Sequence, residues 1–327
     1  MGMKLALIVG INYYEHGSGL TGCVNDAYSV ESMLKRNDGG SINFECNLLT
    51  ASGKPDSISR AKLKDSIAQL FNTPSLETAL FYFAGHGHIE SIGGYILASD
   101  ARRGDEGVSL GEIMTMANES TAINKIIILD SCHSGIAGAT PGKDKLSVVA
   151  DGMTILTASR ADQAAGEKNG SGVFTSLMVD ALSGGAADLV GHITPGSIYA
   201  HIDKSLGGWE QRPIFKTNIQ KFVSLREVTP PISRDDLLSL TDYFPKATSE
   251  FHLDPTFEPE KRGRKKGAPA PIEEHTKIFA RLQKFNRLNL LVPVGAPHMW
   301  HAAMESKKCK LTTLGQHYWQ LIARGRL

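Results

Sequence analysis

Residues 125–135, KIIILDSCHSG, decide how the rest of the chain is read. Lys125 to Leu129 holds three consecutive isoleucines and a leucine. Such a run is too short for a helix and has no alternation, the pattern of a strand covered on both faces. Asp130 to Gly135 then changes to small and polar residues, a turn leaving the strand's carboxyl end. Similar runs occur at Lys4 to Val9, Phe44 to Thr50, Thr78 to Ala84 and Gly152 to Thr157. Stretches of helical periodicity separate them, at Asn25 to Lys35, Ser59 to Phe71, Leu110 to Ala117 and Val173 to Leu182. This βα alternation predicts a three-layer α/β/α fold around a doubly wound, mostly parallel sheet.

In such sheets the functional residues gather where the chain leaves the carboxyl ends of the strands. The rim segments are Gly10-Ile11-Asn12, Gly85-His86-Gly87-His88 and Asp130 to Gly135. A thiolate is a far better nucleophile than a thiol, so a catalytic cysteine needs a proton acceptor beside it. Cys132 follows one strand among small residues, and His86 ends another. Parallel neighbours lie about 4.8 Å apart, so the two strands would bring thiol and imidazole to one rim. The backbone N–H groups of Gly87 and Cys132 are candidate oxyanion donors, each worth roughly 3 to 4 kcal/mol. His88 and His133 are weaker candidates for the base.

The segments YFAGHG (Tyr82 to Gly87), LDSCHSG (Leu129 to Gly135) and GCVNDA (Gly22 to Ala27) resemble the caspase-like cysteine peptidases of the metacaspase and prokaryotic caspase-homologue type. The resemblance runs over roughly residues 3 to 225, through TASRADQAAGE (Thr157 to Glu167), GVFTSLMVDAL (Gly172 to Leu182) and QRPIF (Gln211 to Phe215). It implies a caspase-type fold and a Cys132–His86 dyad that requires no third acidic member and no cofactor. Around Cys132 the sequence departs from the QAC-type signature of animal caspases. The resemblance also implies a role in bacterial signalling, stress response or antiphage defence.

Caspases directed at aspartate hold the substrate carboxylate with arginines, whereas this chain places Asp26 and Asp130 at the rim. Two partly desolvated acids favour a cationic side chain, and arginine's fork can pair with both. The expectation is cleavage of proteins after Arg or Lys, with Ser159 and the Asp162–Glu167 stretch lining the groove. The other roles open to these acids are a charge at a helix N-terminus for Asp26 and turn chemistry for Asp130. Lys143 and Lys145, in the Gly- and Lys-rich stretch from Ile136 to Asp151, are candidate self-cleavage sites. Some metacaspases need calcium, for which Asp100, Asp105 and Glu106 are candidate ligands beside the plainer reading of a hydrated acidic loop.

The chain's 327 residues suit two domains, and 41% apolar with 21% charged residues excludes collagen, coiled coil and wholesale disorder. The net charge of +1 hides an asymmetry: residues 1–259 carry 21 basic against 30 acidic side chains, and residues 260–327 carry 14 against 4. The sequence reads as a peptidase domain over 1–228, a connecting segment over 229–271 that ends in the basic tether Phe257 to Pro271, and a small basic α+β module over 272–327. A winged-helix-like module contacting nucleic acid and a protein-docking module both fit that tail. A zinc set of His298, His301, Cys309 and His317 lacks paired short spacings. Cys23, Cys46, Cys132 and Cys309 form no CxxC pair, and Leu5 to Val9 is too short for a signal sequence or a membrane span. The expectation is a cytoplasmic protein with four free thiols and no membrane partner. The alternative to an enzyme is a caspase-fold adaptor with little or no activity.

Overall fold

The structure is a computed structural model. It describes the chain apart from residues 1, 91–92, 132–138, 141–142, 148, 159–166, 169–170, 208–211, 220–222 and 265, and apart from the side chains of 105, 139–140, 143–147 and 167–168. It divides into two compact units, Met1–Thr229 and Pro230–Leu327.

In the first unit six strands form one sheet: β1 (Met3–Ile11), β2 (Glu45–Ala51), β3 (Leu76–Ala84), β4 (Asn124–Asp130), β5 (Met153–Thr157) and β6 (Ile214–Asn218). Their order is β6-β5-β4-β3-β1-β2, with every pair parallel except β5–β6. Side chains alternate across a strand, and here both faces are apolar because helices cover both. On one face Leu7, Val9, Phe81 and Phe83 pack with Leu63 and Ile67 of α2 (Arg60–Asn72) and Ile113 of α3 (Leu110–Glu119). On the other, Ala6, Ile8, Leu80, Ile126 and Ile128 meet α1 (Cys23–Lys35), α4 (Val173–Asp180) and α5 (Pro195–Ser205) through Val30, Phe174, Met178 and Ile198. Side-chain caps begin α2 at Ser59, α3 at Ser109 and α5 at Thr194.

The antiparallel edge strand β6 is an addition to the sequence reading. Another difference concerns the stretch 136–151, where Ala139–Thr140 and Lys143–Ser147 pair as a hairpin.

The second unit is α+β. Strands Glu250–His252, Lys308–Leu311 and Leu291–Val294 form an antiparallel sheet with Lys308–Leu311 in the centre. Phe279, Leu282 and Phe285 of the helix Glu273–Arg287 are buried, as its periodicity requires. Of the connecting segment read from sequence over 229–271, all but residue 229 falls within this unit. The proposed tether carries no helix or strand among its described residues, yet it is pinned. Arg264 donates to the carbonyls of Pro255, Glu258, Glu260 and Pro269, and Phe257 is buried against His275 with ring centroids 4.3 Å apart. A guanidinium with several donors in a fixed plane can tie a loop that its composition alone would leave loose.

Candidate active site

The strand order turns at β1: β2 lies on one side of it and β3 on the other, which opens a crevice at the carboxyl ends. Gly10, Ala84 and Asp130 stand in register across β1, β3 and β4, so the loops after these strands leave from one level. Gly85 N–H donates to Asp130 O at 3.3 Å, carrying the pairing one residue further.

His86 is held from the loop that follows β1. Its backbone N–H donates to the Tyr14 hydroxyl at 2.7 Å, its Nε2 lies 2.9 Å from the Ser18 carbonyl oxygen, and its ring packs on Tyr14 with centroids 4.6 Å apart. A carbonyl oxygen only accepts, so Nε2 carries a proton, and the tautomer that fits this contact has its lone pair on Nδ1. Tyr14 is buried, and burial pushes its phenol well above the usual tyrosine range. A methyl on Gly85 would stand 2.6 Å from the Tyr14 hydroxyl, so the bare backbone there makes the approach possible.

The structure brings Asp26 and Asp130 together at the start of α4. Asp26, in the first turn of α1 and 2% exposed, accepts from Gly172 N–H at 2.9 Å and from the Ser171 hydroxyl. Asp130, the last residue of β4 and 6% exposed, accepts from the Thr175 hydroxyl at 2.6 Å. Thr175 has one hydroxyl proton and gives it to Asp130, so the Tyr82 hydroxyl, 2.6 Å away, donates to Thr175. Burial raises the Tyr82 phenol, with a smaller rise from the charges of Asp130 and Asp26. A methyl on Gly172 would sit 2.3 Å from Asp130 Oδ2 and 3.2 Å from Asp26 Oδ2, so both carboxylates close on one glycine.

Cys132 and Ser159 lie outside the described residues. Gly87 opens a short strand, Gly87–Glu90, that pairs with Gly93–Ile96. His88 Nε2 lies 2.9 Å from Glu90 Oε1, and its ring packs against Gly104. Lys143 and Lys145 lie in the strand of the 139–147 hairpin. Of the calcium candidates, Asp100 Oδ1 accepts from Arg60 N–H at 2.9 Å and Glu106 Oε2 from Arg102 N–H at 2.9 Å, while the Asp105 side chain is not described. Among the described residues no group of three or more His, Cys, Asp or Glu side chains is placed to hold a metal.

Sequence reasoning missed Tyr14, Ser18, Gly172 and Thr175. Tyr14 lies three residues past the β1 end on the same rim, a position that could have flagged it. Ser18 acts through its carbonyl, which residue identity does not mark. Among the described residues no helix is long and apolar enough to cross a membrane.

Comparison with known proteins agrees with this geometry. The model of the caspase domain matches residues 3–224. The crystal structure of a protein from Geobacter sulfurreducens superposes with a TM-score of 0.51 at 16% identity, covering 69% of this chain and all of that one, a likeness of fold. No curated protein matches the chain. With the family model spanning more than half of its length over this sheet and this rim, the chain belongs to the caspase-domain family of cysteine peptidases.

Proposed function

We propose that the chain is a cysteine endopeptidase that cleaves proteins after Arg or Lys through Cys132 and His86. The observation that carries this is the held imidazole: Nε2–H is committed to the Ser18 carbonyl, and Nδ1 is left basic at the rim. His86 stands two residues past Ala84, Cys132 stands two past Asp130, and Ala84 and Asp130 are register partners on neighbouring strands.

In the proposed reaction Nδ1 takes the Cys132 thiol proton, and the thiolate attacks the carbonyl carbon of the scissile peptide. The tetrahedral oxyanion accepts from the backbone N–H groups of Gly87 and Cys132. On collapse the C–N bond breaks and the imidazolium protonates the departing amine, leaving a thioester. Water, giving its proton to His86, attacks that thioester; the acid leaves and the thiol is restored.

Asp26 and Asp130 supply negative charge for the substrate's cationic arm, with Ser159 beside them. The hydrogen bonds from Ser171, Gly172 and Thr175 hold the two carboxyl groups in place. Self-cleavage after Lys143 or Lys145 belongs to the same proposal, as does a role in bacterial signalling, stress or defence. Denaturing gels of wild type and Cys132→Ala decide self-cleavage: fragments only in wild type support it, and identical intact bands end it.

Fluorogenic peptides ending in Arg, Lys or Asp, with and without calcium, test the main reading. Hydrolysis of the Arg and Lys peptides by wild type and not by Cys132→Ala is expected. Equal inertness under every condition would leave a caspase-fold adaptor instead.

A further inference from the structure

Resting on His86 as the base, we propose that Tyr14 is the positioning residue that fixes which ring nitrogen of His86 reacts. A neutral imidazole carries one N–H, and a half-turn of the ring exchanges the nitrogen facing the thiol. Tyr14 restrains both ends of the histidine. Its hydroxyl accepts the His86 backbone N–H at 2.7 Å, and its ring packs against the imidazole at 4.6 Å, which keeps the ring plane where Nε2 reaches the Ser18 carbonyl. The phenol stays neutral at any pH where a thiolate–imidazole pair works, because burial has moved its ionisation far up.

Tyr14 and Ser18 belong to one loop, and that loop is anchored at the helix that carries Asp26. Asn12 Oδ1 accepts from Val24 N–H and its Nδ2 donates to the Thr21 carbonyl, each at 3.3 Å, while Leu20 N–H donates to Asn12 O at 2.9 Å. The groups that orient the base and the helix that presents a specificity acid therefore share one support.

The experiment compares full-length wild type, Tyr14→Phe and Tyr14→Leu. Nitrogen NMR of histidine-labelled protein reads the tautomer, with the His86 signals among the 11 histidines identified by their loss in His86→Asn. Kinetics on an Arg peptide run beside it. Wild type should show Nε2–H alone. Tyr14→Phe, which keeps the ring and loses one acceptor, should lower kcat about fivefold to tenfold at unchanged KM. Tyr14→Leu should mix the tautomers and lower kcat about fiftyfold.

Wild-type tautomer and kcat in both variants would overturn the proposal, as would an Nδ1–H tautomer in wild type. If Tyr14→Leu does not fold, the Phe variant decides by the same two readings. An inert wild type would end the dyad reading while the spectra still judge the hold of Tyr14 on His86.

Discussion

The same three strands are polar at both ends, and the two ends differ in how that polarity is answered. At the carboxyl end each described polar group of the site meets a group from a distant element: His86 meets Tyr14 and Ser18, Asp26 meets Ser171 and Gly172, and Asp130 meets Thr175. At the amino end Lys4, Thr78 and Asn124 stand in register across β1, β3 and β4 on the face that packs α1, α4 and α5. There Lys4 donates to Asn43 Oδ1 and the Ser224 carbonyl and Asn124 to the Glu77 carbonyl, but the fully buried Thr78 hydroxyl between them has no hydrogen-bond partner among the described residues, and an open hollow of about 970 Å³, lined by Lys4, Asn124, Glu77 and Glu227, lies alongside. Burial draws the Lys4 ammonium below the usual lysine range, and Glu77 and Glu227 oppose that shift. A fully satisfied polar layer holds its members in fixed positions, whereas the one orphaned hydroxyl at the amino end costs stability.

Substitutions at the two ends should separate accordingly. Replacing His86 or Cys132 by alanine should lower kcat about 10³-fold or more with little change in thermal stability, read by peptide hydrolysis beside a melting curve. Asp130→Asn should lower kcat/KM on Arg peptides about 100-fold, and Asp26→Asn should act in the same direction, with no gain on Asp peptides. If either variant cleaves Arg peptides like wild type, the acid pair is only an anchor for α4. Gly172→Ala should cost about 1–3 kcal/mol in denaturant unfolding and lower activity together, because its methyl would press on the Asp130 carboxylate.

At the opposite end Thr78→Val keeps the side-chain shape and removes the orphaned hydroxyl. It should raise stability by up to about 1 kcal/mol and leave kcat unchanged. A loss of stability there would mean that the Thr78 hydroxyl has a partner after all, and the contrast between the two ends would weaken.

The fold was legible where both faces of a strand are covered. Five of the six sheet strands announce themselves as apolar runs, and α1 to α4 lie within a few residues of their periodic stretches. The sixth, Ile214–Asn218, carries Lys216, Thr217 and Asn218 at a half-exposed edge, so it has no such run. Asp26 and Asp130 could be read because a charge beside an apolar strand or helix is conspicuous. Thr175 could not, since it acts through one hydroxyl reaching a chain segment 45 residues away, and for Tyr14, whose hydroxyl meets a residue 72 positions on, only the place on the rim gave a signal. The second unit defeated composition for a related reason: a single arginine, Arg264, ties down a Pro- and Gly-rich stretch by its contacts with carbonyls.

The central claim is that one of four thiols is activated by one imidazole. The other three cysteines supply the control. Cys23 is buried, and burial pushes Cys46 up to about 11 and Cys309 up to about 12. At about pH 6 Cys46 and Cys309 are essentially protonated and Cys23 is buried, while a cysteine paired with an imidazole is ionised and exposed to reagents. The direct measurement is brief iodoacetamide labelling of the native protein at that pH, with the adduct located by mass spectrometry in wild type and in His86→Ala. The account predicts one adduct, on Cys132, lost or greatly slowed in His86→Ala. Labelling of Cys132 at the same rate in both proteins, or first labelling at Cys46, would contradict it.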